Sequence, residues 1–302
     1  MSAGGTARRT GGLWYGVGAY ASWGMFPAFF PLLKPAGAIE VLAHRIVWTL
    51  VFMTVVVTVL RRLGDLRRIS GRTWVLLTCA AALISTNWVT YIYAVNNGHV
   101  VDAALGYFIN PLLSVALGVL IFRERLNVAQ SVALVVAVLA VAVLAVSMGA
   151  PPWIALVLAA SFSLYGAVKK VVPTDPTLSV GVEAGLAAPF AVGYLAVAEV
   201  TGHGTFTGHG AGHALLLVVS GVITAIPLLF FAAAAQRLPL VTLGLLMYLT
   251  PAMQMTWGVV VGHEPMPVAR WAGFAMIWLA LAVFTADAIY RAARKPSAVG
   301  AR

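Results

Sequence analysis

Apolar runs long enough to cross a membrane follow one another almost from end to end of this chain. They span about residues 12–33, 39–60, 73–95, 102–122, 128–148, 153–170, 178–199, 213–235, 240–262 and 268–290. A helix needs about 20 residues to cross the hydrocarbon core of a bilayer. Lipid offers the backbone no water, so helices that satisfy their own hydrogen bonds are the simplest solution. The other solution, a closed barrel, would show strands of alternating apolar and polar positions, and that period is not visible. The pattern predicts an all-α integral membrane protein with ten transmembrane helices. The first run, Leu13 to Leu33, is too long for the core of a cleaved signal segment and lacks a persuasive cleavage site, so it is expected to be retained.

Composition strengthens this reading. Hydrophobic residues are 61% of the 302 and charged residues 9%, where a soluble domain carries about 25% charged. A net charge of +10 would suggest nucleic acid in a soluble chain, but here the basic residues sit between the apolar runs. With the N-terminus on one side, that side collects Arg8, Arg9, Arg61, Arg62, Arg67, Arg68, Arg72, Arg123, Arg125, Lys169, Lys170, Arg237, Arg291, Arg294, Lys295 and Arg302. The other side holds Lys34 and Arg270, and Arg45 lies inside a span. Loops rich in Lys and Arg stay in the cytoplasm, so both termini are expected there. The expected partners are lipid and a small-molecule solute, with no nucleic acid. The lone Cys79, buried within the third span, excludes an intrachain disulfide.

The two halves partly repeat. At an offset of 140, Leu105 falls on Leu245, Pro111 on Pro251, Gly118 on Gly258 and Glu124 on Glu264. Trp23-Gly24 matches Tyr165-Gly166 at an offset of 142, and Glu40 matches Glu183 at 143. An odd number of helices per repeat places the second copy upside down in the bilayer. The expected organisation is a tail at 1–11, a five-helix repeat at 12–148, an inverted one at 151–290 and a tail at 291–302. Inverted repeats are the usual build of carriers that open alternately to each side, with the binding site at the repeat interface.

Ionisable groups inside spans are costly, so each is a candidate for function. Glu40 and His44 are four apart and share a helix face. Arg45 lies about 100° further round. This set supplies a carboxylate, a titratable ring and an anion-binding cation, or else a structural network. Glu183 is the carboxylate of the second half's early helices. Glu40, His44 and Glu183 are the candidates for proton coupling. Asn87 and Tyr91 line one side of the third span, with Trp88 beside them, and can bond a polar solute or a neighbouring helix. Tyr107 and Asn110 precede Pro111 in the fourth span, and their counterparts are Tyr248 and Pro251, with Gln254 one turn on. Proline removes a helix hydrogen bond, so Pro111 and Pro251 are expected to kink their helices. Trp23 and Tyr165 occupy matching places and could wall a cavity. The substrate-binding candidates are thus Trp23, Arg45, Asn87, Tyr91, Tyr107, Asn110, Tyr165, Tyr248 and Gln254. Lys169 and Lys170 read as membrane-edge anchors and Glu124 as a partner of its flanking arginines. His203, His209 and His213 lie in a Gly-rich loop expected to be flexible, at spacings that fit no standard zinc pattern. No metal, cofactor or catalytic residue is expected.

The strings AIEVLAHRIVW, NWVTYIYAVNNGHVVDAALGYFINPLLSVALGV, FRERL, PWIALVLAASFSLYGAVKK, GVITAIPLLFFAAAAQRLPL and GLLMYLTPAMQ resemble the RarD family, in the EamA branch of the drug/metabolite transporter superfamily. The likeness covers about residues 12–290. It implies ten transmembrane helices in two inverted repeats, a bacterial inner-membrane location and a permease linked to chloramphenicol sensitivity. It also implies a central cavity lined by both halves. Met247 stands where the family commonly carries a Gln before the Tyr.

The expectation is a secondary transporter of a small organic solute, metabolite or amphenicol-like drug, working by alternating access. The competing classes are an integral-membrane enzyme on a lipid-linked substrate and a channel or non-transporting solute sensor.

Overall fold

The computed structural model describes residues 3–123, 126–148, 151–235, 237 and 246–294. Among them, ten helices of 12 residues or more form the molecule. They are α1 (Ala3–Gly24), α2 (Ala38–Val59), α3 (Gly71–Asn96), α4 (Val100–Phe122), α5 (Val128–Met148), α6 (Trp153–Val171), α7 (Pro176–Val200), α8 (Gly210–Ala235), α9 (Leu249–Val260) and α10 (Val268–Arg294). Seven are long and apolar enough to cross a membrane, namely α2, α3, α4, α5, α7, α8 and α10. The chain is therefore all-helical and multi-pass among the described residues.

The helices begin and end where side chains and loops can satisfy their exposed backbone groups. Ser70 caps α3 by accepting from Thr73 N at 3.3 Å. Asp175 caps α7 by accepting from Thr177 N at 2.9 Å, with Pro176 next, where a missing N–H costs nothing. The carboxylate of Asp175 also meets Arg62 at 2.9 Å, tying the loop after α2 to the loop before α7. Burial alone would raise the Asp175 carboxyl, but Arg62 and the two backbone N–H groups hold it below its ordinary value. Gly98, at φ +72, lets α3 turn directly into α4.

The first expected span is not one helix. Pro27 and Pro31 interrupt it, so α1 ends at Gly24 and a short helical turn, Phe26–Phe29, passes into a 3-10 turn, Phe30–Leu33. Of the two expected kinks, Pro111 lies inside an α4 that stays helical throughout. Pro251 sits in the first turn of α9, after a turn at Met247–Tyr248, and so marks a helix start. Glu124 and residues 240–245 of the ninth expected span lie outside the described residues.

The helices pack in matched pairs. α2 lies against α7, α4 against α9 and α5 against α10. α1 packs on α8 and α9, while α6 packs on α3 and α4. α2 also meets α8, and α7 meets α3. Close crossings depend on glycine: a Cβ on Gly106 would lie 2.8 Å from the Ala155 carbonyl of α6. The outer surface is apolar, with Leu120, Val146, Phe190 and Val200 all exposed, as helices in lipid require. Cys79 is exposed on α3, not buried in the packing.

Candidate functional site

Buried where helices of both halves meet lies a cation with no anion beside it among the described residues. Arg45, on α2, is 1% exposed. Its Nε donates to Thr224 Oγ1 of α8 at 2.9 Å, and its Nη1 has no partner. Three rings surround the guanidinium, with centroids at 4.6 Å for Trp88, 5.1 Å for Phe30 and 5.5 Å for Phe26. Such contacts contribute about 0.5–2 kcal/mol each. Removing an unpaired ion from water costs several kcal/mol, so the rings offset only part of the burden.

Polar groups with unused bonding capacity gather beside it. Tyr91 is buried against Phe26, Phe30 and Tyr107. Its hydroxyl lies beside Gln254 of α9, close enough to interact, but the hydroxyl and Gln254 Oε1 fall short of full hydrogen-bond geometry. Gln254 Nε2 donates to the Trp23 carbonyl of α1 at 3.3 Å. Asn87, by contrast, is fully engaged. Its Nδ2 donates to the Leu158 carbonyl at 3.0 Å and to Ser161 Oγ at 3.1 Å, and its Oδ1 accepts from Tyr107 at 3.1 Å. It holds α3, α4 and α6 together.

The structure thus brings Trp23, Arg45, Asn87, Tyr91, Tyr107 and Gln254 into one neighbourhood. It places three other candidates elsewhere. Asn110 accepts from Ser163 at 2.5 Å, clasping α4 to α6. Tyr165 donates to Glu183 at 3.0 Å. Tyr248 lines an open apolar groove of about 520 Å³ with Phe108, Met255, Trp271 and Trp278. Sequence reasoning missed Phe26, Phe30 and Thr224. Aromatic residues within an apolar run carry no signal that separates a cage from ordinary packing.

The coupling candidates are engaged in two further networks. Glu40 is buried and accepts from the backbone N and the hydroxyl of Thr205, at 2.7 and 2.9 Å. Glu199 accepts from Phe206 N at 3.0 Å and from the Thr207 hydroxyl at 2.6 Å. The loop expected to be flexible is therefore folded back on the bundle. Phe206 stacks on His44 at 4.9 Å, and both nitrogens of the buried His44 ring lack partners. His213 bonds the Thr205 hydroxyl at 2.8 Å. His203 contacts Thr201 and His209 lies beside His213. Glu183 accepts from Lys169 at 2.6 Å and from Ser179 at 2.8 Å.

At the same end as Thr205, Glu264 caps α4. It accepts from Val100 N at 2.6 Å and from Val101 N at 3.0 Å, placing negative charge at a helix N-terminus. Beside it Asp102 pairs with Arg270 at 2.6 Å and His99 at 3.3 Å. Burial pushes the Glu264 carboxyl above its ordinary value, against the pull of those N–H bonds and Arg270. The folded state therefore holds that proton more tightly than the unfolded chain. Stability from this group falls as pH rises from the ordinary glutamate range through the raised value. Glu264→Ala should destabilise the detergent-solubilised protein by ~1–3 kcal/mol, because two buried N–H groups lose their acceptor. Glu264→Gln, which keeps an acceptor, should lose less and flatten that pH dependence. Thermal unfolding from pH 4 to 8 checks both, and an alanine variant as stable as the parent would refute the capping role.

Comparison with known proteins agrees with this architecture. Residues 10–146 match the EamA-like transporter family. Protein RarD of Streptomyces exfoliatus is 50% identical over 285 residues, covering 94% of this chain and 90% of that protein. The uncharacterized transporter YojE of Bacillus subtilis (strain 168) is 41% identical over 280 residues, covering 91% and 93%. A solved crystal structure superimposes with a TM-score of 0.59 at 18% identity, covering 91% of this chain and 97% of that one, a likeness of fold. The chain belongs to the RarD family of EamA-like membrane transporters.

Proposed function

We propose that this protein is a secondary transporter that carries a small organic solute across the bacterial inner membrane by alternating access. The two halves, 12–148 and 151–290, are read as inverted five-helix repeats, with ten crossings and both termini in the cytoplasm. Exchanging α1–α5 with α6–α10 turns the main pairings between the halves into one another: α1–α8 becomes α6–α3, and α2–α8 becomes α7–α3. The family match at 10–146 has nearly the bounds of the first repeat. The asymmetry of Lys and Arg between loops supports the orientation.

One observation carries the reading. Arg45, Tyr91 and Gln254 come from both halves, meet where the halves join, and keep unused hydrogen-bonding capacity. Most buried polar groups in a packed interior are paired, so three incompletely paired ones converging on the seam point to a solute. Arg45 is closed over here, as an occluded stage of a carrier cycle requires.

The test is counterflow into proteoliposomes of amino acids, small carboxylates and chloramphenicol, with and without a pH gradient. At least one solute should enter saturably, and Arg45→Ala should cut its entry at least about tenfold, the loss of about 1.4 kcal/mol of binding. Absence of saturable entry for every solute would refute transport. Conductance that does not saturate would point to a channel.

A further inference from the structure

We infer that the transported solute carries an anionic group of carboxylate size on an apolar or aromatic body, and that Arg45 is its counter-ion. This rests on the transport reading and specifies the solute class.

The argument begins with the acids. Of the nine acidic residues, Glu124 lies outside the described residues and each of the others is engaged elsewhere. Glu40 and Glu199 hold the 205–207 loop, and Glu264 caps α4. Asp102 meets Arg270, Glu183 meets Lys169, and Asp65 and Asp175 meet Arg62. Asp287 accepts from Asn127. No carboxylate among the described residues lies within ion-pair distance of Arg45, although it is the most deeply buried cation there.

The donors also have a direction. Thr224 fixes the Nε side of the guanidinium and leaves Nη1 unpaired. A planar carboxylate accepts from such a guanidinium edge and gains strength where water is excluded. The Tyr91 hydroxyl offers a second donor, and Gln254 Oε1 can accept from a hydroxyl or amine on the same solute. The rings of Phe26, Phe30 and Trp88 supply apolar walls for the solute's body. A neutral solute would leave the buried charge as uncompensated as before, so the site discriminates by charge first and shape second.

The test uses the full chain in nanodiscs and matched probes that differ only in charge. Benzoate, phenylacetate and hexanoate are titrated against benzamide, phenylacetamide and hexanamide by calorimetry. At least one carboxylate should bind about tenfold or more tightly than its own amide. Arg45→Gln should erase that preference, and Arg45→Lys should keep part of it. If Arg45→Gln does not fold, Tyr91→Phe serves, since it removes a hydroxyl held only loosely, beside Gln254. It should weaken the carboxylate severalfold and the amide less, since a charged acceptor gains more from the hydroxyl. Equal binding of acid and amide, a preference that survives in Arg45→Gln, or no carboxylate binding at all overturns the inference. Flux in the same preparation separates it from its premise. Saturable entry of chloramphenicol or another neutral solute, with carboxylates ignored, refutes the anion and leaves transport standing.

Discussion

Gly221→Ala should prevent α2 and α8 from docking and sharply reduce the yield of folded protein. A Cβ at this position would lie 2.4 Å from Trp48 Cβ, 2.5 Å from the Trp48 carbonyl carbon and 2.6 Å from Thr49 N. Two of these three atoms are backbone, so no rotamer change relieves the clash. Overpacking costs about 1–3 kcal/mol, and more where the neighbour cannot move. The same crossing carries the Thr49 hydroxyl bond to the Gly221 carbonyl at 3.2 Å and the Arg45–Thr224 bond at 2.9 Å. Each adds about 1 kcal/mol to what separation forfeits. Gly193→Ala is the control, because its added Cβ meets nothing within 4 Å and alanine favours helix by about 1 kcal/mol. Size-exclusion profiles and melting temperatures of the two variants decide. A Gly221→Ala protein as monodisperse and stable as the control would show that the crossing can spread.

Lys169→Met is the second large effect. Glu183 is 6% exposed and Lys169 23%, with 2.6 Å between them. Lys169 also contacts Ser179, and Tyr165 and Ser179 donate to the same carboxylate. Removing one member of a buried pair strands the other, at about 3–5 kcal/mol. The partial exposure of Lys169 places the expected loss at the lower end. Lys169→Met with Glu183→Gln should recover most of it, since both charges leave together. Recovery distinguishes a stranded charge from lost packing, and its failure would refute the ion-pair account. Transport by the double variant tests Glu183 as a coupling group: entry that still follows a pH gradient would exclude it.

Sequence periodicity located most elements closely. The runs 39–60, 128–148 and 153–170 correspond to helices at Ala38–Val59, Val128–Met148 and Trp153–Val171. Hydropathy does not register a break that stays apolar, so Phe26, Phe29 and Phe30 carry the apolar run across the interruption that Pro27 and Pro31 mark. The offset between His44 and Arg45 was legible as helix phase. The ring of His44 stacks on Phe206 while Arg45 faces Trp88. What Arg45 would find there was not legible, because Phe30 and Thr224 reach it from distant parts of the chain. Tyr248 and Gln254 are six apart, about 240° round a helix, so periodicity alone does not put them on one face. The turn at Met247–Tyr248 resets the phase, leaving Gln254 at the seam and Tyr248 on the groove. The 200–212 loop departs from its expected flexibility for a similar reason. Its glycines signal freedom locally, but Thr205 finds Glu40 at a separation of 165 residues.

That tethered loop has a practical consequence for anyone labelling the protein. A long glycine-rich connection is the customary place to splice in an epitope or fluorophore. Here, splicing between Gly204 and Thr207 would sever the grip of Glu40 and Glu199 and pull Phe206 off His44. Gly208 has open space around it and lies beyond Thr207 and before α8, so a reporter placed there would spare the contacts of Thr205, Phe206 and Thr207.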